Sequence, residues 1–301
     1  MPEMKISFLG TGSATSTNRA HTAMVYDCDD GTRLLIDTSS GNSVARGGVA
    51  LGIPVEGFDK VLLSHHHPDH LSGLMFVQFS RARARLDAPP LDIYLTRQSL
   101  EWAVKMCNST YLNVAEVDEK GAKNSDGRQV MRWTVVEPGE QIDLGPTTTA
   151  SCFDADHISG AVGWRVDSGG MSVVFSGDTR FNPELVKAAE GARLLIHEAY
   201  RTDEEREFAN DQGHSTGGDA GRAAAQAGVA QLVLTHLDSE FDADPQPLLR
   251  RRQKTLPRPN FRRRRLGPDN CQQLIAAGGR GGLLRNHTQP SQYSETSRCP
   301  R

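Results

Sequence analysis

Seven consecutive residues, Ser64-His65-His66-His67-Pro68-Asp69-His70, constrain this 301-residue chain more than any other feature of it. They follow directly on Val61-Leu62-Leu63, a short apolar run that reads as a strand. Four imidazoles and a carboxylate in six consecutive positions are hard to explain as surface decoration. At a strand end they present several nitrogen and oxygen donors to a metal without any long-range folding coincidence. Alternation along an extended segment turns His66 away from His65 and His67, which leaves His65, His67, Asp69 and His70 as the candidate ligands.

Three later residues repeat that placement. His157 follows the strand-like run ending near Phe153, Asp178 follows Val173-Val174-Phe175-Ser176-Gly177, and His236 follows Leu232-Val233-Leu234-Thr235. Taken singly, each histidine reads as an ordinary hydrogen-bonded residue and the aspartate as a turn residue. Their shared position past a strand lets them gather at one edge of a rigid scaffold, as loop-borne sites do.

Short runs bounded by Gly, Asp, Asn or Pro predict strands at Lys5 to Leu9, Arg33 to Ile36, Lys60 to Leu63, Asp92 to Leu95, Thr148 to Phe153, Val162 to Val166, Ser172 to Phe175, Leu194 to Ile196 and Leu232 to Leu234. Helices are predicted at Leu71 to about Arg83, Arg97 to Met106, Pro183 to Ala189 and Gly217 to Ala227. Strands dominate early and helices are interspersed later, which favours two packed sheets with helices outside over a simple doubly wound sheet. Arg81, Arg83 and Arg85 read as a solvated helix end, with an anion-attracting mouth as the alternative.

The chain divides at about residue 245. Residues 246–301 carry twelve Arg and Lys254 against Asp269 and Glu295, a charge of +11; with a net charge of -3, residues 1–245 carry -14. The basic segment has few apolar residues and no periodicity and reads as a disordered or poorly packed tail, nucleic-acid binding being the alternative. An acidic body holding every candidate ligand does not advertise a polyanion-binding face. Cys28, Cys107, Cys152, Cys271 and Cys299 are scattered without a CxxC pair, so reduced thiols are expected rather than a disulfide framework. No signal-like N-terminus and no membrane-length apolar run is found, and a cytoplasmic protein with no membrane contact is expected.

The segment HHHPDH matches the HxHxDH signature of the metallo-β-lactamase superfamily, and the match continues in order through His157, Asp178 and His236. The resemblance implies an α/β chain folded as a four-layer αββα sandwich over residues 1–245. It also implies a dinuclear centre of two Zn2+, with Mn2+ or Fe2+ as substitutes. His65, His67 and His157 would hold one metal, Asp69, His70 and His236 the other, and Asp178 would bridge them. Asp37 falls where the family keeps an aspartate that supports the ligand loop; a strand-end turn residue is the other reading. Two metals sharing a carboxylate lower the pKa of a bridging water, giving hydroxide at neutral pH, with Asp69 orienting it.

Within the superfamily the chain resembles the ribonuclease Z branch. The matching pieces are Leu9-Gly10-Thr11-Gly12-Ser13, Ser176-Gly177-Asp178-Thr179-Arg180, His197-Glu198-Ala199, Gly213-His214-Ser215-Thr216 and Leu234-Thr235-His236. In that branch the residues matching Glu198 and His214 form a pair near the leaving group, where a carboxylate keeps an imidazole protonated. The alternative for His214 is a residue at a helix start beside the N-cap candidates Ser215 and Thr216. One departure is the Gly- and Pro-rich tRNA-gripping arm, for which the stretch between His157 and Asp178 leaves room only for a hairpin turning at Asp167 to Gly170. A second is the C-terminus, where Asp242 to Leu249 begins the branch's final helix and strand and the arginine-rich text does not complete them. Arm-lacking relatives in the branch hydrolyse small anionic esters, so a small phosphodiester or aryl sulfate is the expected substrate. A ribonuclease Z-like tRNA 3'-processing endonuclease is the runner-up, and a β-lactam or lactone hydrolase or a non-catalytic binding module is less favoured. The resemblance also implies a homodimer.

Overall fold

Short β-rich runs separated by turn residues are too brief to bury an apolar face alone, and they pair into two sheets. The computed structural model describes residues 3–84, 87–109, 116–249 and 272–277. The first half supplies β1 (Glu3–Gly10), β2 (Ala23–Asp27), β3 (Arg33–Ile36), β4 (Lys60–Leu62), β5 (Leu91–Leu95), β6 (Glu116–Asp118), β7 (Gly121–Lys123) and β8 (Gln129–Val135). The second half supplies β9 (Gln141–Asp143), β10 (Thr148–Asp154), β11 (Val162–Ser168), β12 (Met171–Phe175), β13 (Leu194–Glu198), β14 (Gln231–Thr235) and β15 (Gln272–Ala277). The helices are α1 (Ser43–Ala50), α2 (Pro68–Leu71), α3 (Leu74–Ala84), α4 (Arg97–Ser109), α5 (Pro183–Ala189), α6 (Arg206–Asp211), α7 (Gly217–Ala227) and α8 (Gln246–Leu249). Strand order is β15-β1-β2-β3-β4-β5-β8-β7-β6 in one sheet and β14-β13-β12-β11-β10-β9 in the other.

Between the sheets lies a core in which Phe8, Tyr26, Ile36 and Leu62 face Cys152, Trp164, Val166, Phe175 and Ile196. Outside the first sheet, Val44 of α1, Leu74 and Met75 of α3 and Leu100 of α4 pack on Leu35, Val61 and Ile93. Outside the second, Leu185 of α5 and Ala223 and Ala224 of α7 pack on Val174 and Leu195. The result is the expected αββα sandwich, each fully buried Leu or Ile contributing about 1.5–3 kcal/mol.

Two features aim this scaffold at one edge. β3, β4 and β5 are parallel, as are β12, β13 and β14, so Asp37, the 64–70 loop, Asp178 and His236 all leave the C-terminal ends of parallel strands. The sheets are also tied beneath the histidine loop, where Trp164 Nε1–H donates to the Leu63 carbonyl at 3.2 Å and the Val162 N–H donates to the Ser64 carbonyl at 3.0 Å.

Some elements depart from the sequence reading. The helix predicted from Leu71 to Arg83 divides into α2 and α3. Arg81 is not a solvated helix end: it is 1% exposed and bonds Asp59 at 2.9 Å and the Pro89 carbonyl at 3.1 Å, while Arg85 lies outside the described residues. Within the segment predicted as a tail, α8 packs near α7, and β15 pairs antiparallel with β1 from Glu3↔Ala277 to Phe8↔Gln272. Residues 250–271 and 278–301 lie outside the described residues. A proline-free run of six residues suffices to pair the open backbone groups of an edge strand, which local patterning does not announce. Among the described residues no helix is long and apolar enough to cross a membrane.

Candidate metal centre

The strand ends bring all seven predicted ligands together. His65, His67, His157 and Asp178 form one group and Asp69, His70 and His236 another, each group with donor atoms lying within 4.8 Å of one another. Asp178 Oδ2 stands between them, 3.6 Å from His65 Nε2, 3.9 Å from His157 Nε2, 3.3 Å from His70 Nε2 and 3.1 Å from His236 Nε2. Asp69 Oδ2 is 3.4 Å from His70 Nε2 and 3.2 Å from His236 Nε2, and His67 Nδ1 is 3.1 Å from His157 Nε2. Donors bound tetrahedrally at zinc–nitrogen distances would be about 3.4 Å apart, so these spacings fit divalent cations. A second observation agrees: the buried atoms His65 Nε2, His70 Nε2 and Asp178 Oδ1 have no hydrogen-bond partner among the described residues. Leaving buried polar atoms unpaired is costly, and a cation satisfies them together.

Supporting contacts fix which nitrogen each imidazole presents. Asp37, fully buried, accepts from the Ser64 N–H at 2.7 Å, the Ser64 hydroxyl at 2.8 Å and His70 Nδ1–H at 2.7 Å. Because the Ser64 proton goes to Asp37, its oxygen accepts from His65 Nδ1–H at 3.0 Å. His157 Nδ1–H donates to the Gly213 carbonyl at 2.9 Å. Each bond leaves Nε2 as the donor atom aimed into the cluster. Asp37 and His236 take positive φ values of 55° and 53°, a strained state for residues with a Cβ that clusters at functional sites. Gly177, at φ 62°, must be glycine, since a Cβ there would meet the Val162 carbonyl oxygen at 2.5 Å.

Of the two readings of Asp37, the geometry favours the support role. Asp37→Ala is expected to lower metal affinity about 10- to 100-fold and to cost the metal-free protein about 1–3 kcal/mol by orphaning the Ser64 N–H. Chelator competition and denaturant unfolding measure the two effects, and a variant unchanged in both would return Asp37 to a turn residue.

Burial alone would raise the Asp178 carboxyl, but His236 and His70 hold it well below the usual range. Burial opposes charge on His70 too, yet Asp178, Asp69 and Asp37 raise it well above an ordinary histidine. His65, His67 and His157 are lowered, burial being the chief cause. In the metal-free protein His70 therefore carries a proton at neutral pH that a cation must displace. Zn2+ affinity is expected to rise with pH between 6 and 8, with net proton release. Calorimetry in buffers of different ionisation enthalpy reads that release, and none at pH 7 would contradict it.

Beside the cluster, Glu198 is fully buried and accepts from the Thr179 N–H at 2.6 Å, the Ser215 N–H at 3.1 Å and His214 Nδ1–H at 3.0 Å. Burial pushes the His214 imidazole down, but the Glu198 carboxylate outweighs it and carries the pKa to about 9. The role at a helix start falls instead to Thr216, which caps α7 through Asp219 in a capping box, while the Ser215 hydroxyl donates to the Thr179 carbonyl. His66 lies outside the ligand groups and stacks on Trp102 at 5.6 Å, as alternation requires. The Ser64 relay and the Tyr200 ring, 4.7 Å from His214, went unseen in the sequence. No spacing signal marks either.

Residues 32–237 match the beta-lactamase superfamily domain, and the chain belongs to that family. It is a metal-dependent hydrolase with the metallo-β-lactamase fold. Its sequence is 28% identical to ribonuclease Z of Myxococcus xanthus, over 83% of this chain and 92% of the relative. Two solved structures share the fold, each with a TM-score of 0.64 and 24% identity. They are the metallo-β-lactamase fold protein YhfI of Bacillus subtilis, matched over 78% of this chain and 87% of that one, and the short form of human tRNase Z, over 78% and 93%.

Proposed function

We propose that this protein hydrolyses phosphodiesters by the chemistry of ribonuclease Z. The observation that carries the reading is the Glu198–His214 pair beside seven convergent candidate ligands, which sets a protonated imidazole where a strongly basic alkoxide would depart. His65, His67 and His157 with Asp178 would hold one divalent cation, and Asp69, His70 and His236 with Asp178 the second, zinc being the cation this nitrogen-rich set suits. Two cations held there would lower the pKa of a water between them and offset charge on the phosphoryl oxygens. Asp69 orients the attacking water and accepts its proton. As the new P–O bond forms and the old one breaks, His214, kept protonated by Glu198, gives its proton to the departing oxygen.

The sequence reading put a small anionic ester first and tRNA 3'-end processing second; the relatives named ribonuclease Z favour the second. Small phosphodiesters or aryl sulfates remain a separate reading because of one observation. Between His157 and Asp178 the chain forms only the hairpin of β11 and β12, and the nearby Arg180 and Arg201 are paired with Asp156 and with Asp238 and Glu240. Among the described residues those pairs offset the charge of both arginines, which the many phosphates of a folded RNA would otherwise draw on. The test presents precursor tRNA, a bis-aryl phosphate, an aryl sulfate and a chromogenic β-lactam to the metal-loaded protein under identical conditions. Cleavage of tRNA precursor at its 3' end is the expected result. Turnover of the aryl sulfate or bis-aryl phosphate alone selects the small-ester reading, and turnover of the β-lactam alone overturns both.

A further inference from the structure

His66 is the one member of the histidine run left without a place in the hydrolytic machinery, and it leads away from the metal centre to an exposed indole. Its ring stacks on Trp102 of α4 at 5.6 Å with 13° between planes, and Lys105 Nζ lies 4.4 Å over the same indole. Trp102 is 51% exposed, whereas Trp133 and Trp164 are 8% and 1% exposed. From His66 the rings continue to His67 at 6.2 Å and on to His157 at 4.9 Å. From His157 they run to His214 at 4.8 Å, then to Tyr200 at 4.7 Å and Phe208 at 6.4 Å, and Phe208 is 47% exposed. The ligand cluster thus lies along a row of rings with an exposed aromatic at each end.

We propose that Trp102, braced by His66, is a stacking platform for a planar ring on the retained side of the scissile ester, so that the substrate class is a phosphodiester flanked by a nucleobase or an aryl group. The side follows from the row itself, for His214 donates to the leaving oxygen at the Phe208 end, which leaves the Trp102 end for the group that keeps the phosphate. Lys105 sets a cation over the same indole, suited to the negative charge that accompanies such a ring. Stacking on an exposed aromatic tolerates any base because every base has a π-face, which gives affinity without sequence readout. This inference rests on the phosphodiesterase reading above.

Its test uses three diesters that share a p-nitrophenolate leaving group and differ in the retained group, which is methyl, p-nitrophenyl or thymidine 5'-yl. The metal-loaded protein is expected to prefer the two aromatic esters in kcat/KM. Trp102→Ala should cut that preference over the methyl ester by roughly five- to a hundredfold, mainly through KM, and Trp102→Phe should restore most of it. Phe208→Ala, acting on the common leaving group, should lower all three together. A preference unchanged in Trp102→Ala overturns the platform while leaving the phosphodiesterase reading intact. Preference for the thymidine ester over the nitrophenyl ester points to nucleotides as the source of the ring, and the reverse to aryl esters. Should the wild type cleave none of the three, the small-ester reading fails, precursor tRNA remains the test of the phosphodiesterase reading, and the platform is judged by tryptophan emission. Thymidine 5'-monophosphate must then quench it more than ribose 5-phosphate does, with the difference lost in Trp102→Phe; equal quenching overturns the proposal.

Discussion

If the chain holds two cations as proposed, Asp178→Ala is expected to lose at least one of them and to reduce hydrolysis by about 10^3-fold or more. The reason lies in what its Oδ2 faces: four imidazole nitrogens, two from each ligand group, at 3.1 to 3.9 Å. Among the described residues no other carboxylate lies within 4.0 Å of imidazoles from both groups. Removing the carboxylate leaves buried imidazoles without the charge that offsets two divalent cations, and several kcal/mol of transition-state charge stabilisation go with the displaced metal. Emission spectrometry on the dialysed variant gives the metal count and a chromogenic diester gives the rate. A variant holding two metals with near-normal turnover would disprove the bridging role. Asp178→Asn is the sharper form of the test, because it keeps the side-chain volume beside Gly177 and removes only the charge.

The convergence of the candidate ligands could be read from the sequence because its signal is local. His65 to His70 carry their meaning within six positions, and the strand before each of His157, Asp178 and His236 announces a common edge. The parallel arrangement of β3 with β4 and of β12 with β13 and β14 then makes that edge real. What escaped the sequence depends on partners far along the chain. α1 contains Gly47 and Gly48, each costing about 1 kcal/mol in a helix relative to Ala, so propensity argues against it. The packed interior decides otherwise: a Cβ on Gly48 would approach the Ile53 carbonyl oxygen at 3.0 Å and the Phe58 ring at 3.4 Å. β8 interleaves Arg132 and Thr134 with Met131 and Trp133 and lacks the continuous apolar run that marks a buried strand, yet it pairs in parallel with β5. Ser64 is a third case, ordinary in a loop until Asp37, 27 residues earlier, accepts its proton. Likewise, alternation predicts that His66 turns away, but nothing local says it turns toward Trp102.

His214→Ala is expected to leave metal content at the wild-type level and to slow esters with poor leaving groups by about 10^2- to 10^4-fold, while esters of p-nitrophenol lose far less. The distinction tests chemistry against architecture. A strongly basic alkoxide needs a proton as it departs, whereas p-nitrophenolate leaves without one, so only a proton donor discriminates between them. Loss of metal in this variant would make His214 a ligand, a rival the geometry keeps in play because its ring shares a group with Asp178 and His236. Glu198 supplies the second half of the test. Burial pushes the His214 pKa down and the Glu198 carboxylate raises it to about 9 in the metal-free protein. The acid form is therefore present below that value and lost as pH rises through it. Glu198→Gln removes the raising charge while keeping an oxygen for the Thr179 N–H and His214, at the cost of the Ser215 N–H bond to the other carboxylate oxygen. The basic limb of kcat against pH for a poor leaving group should then move to lower pH, with the limb for p-nitrophenyl esters little changed. A common shift for both ester types would assign the limb to the attacking water and remove His214 from proton transfer.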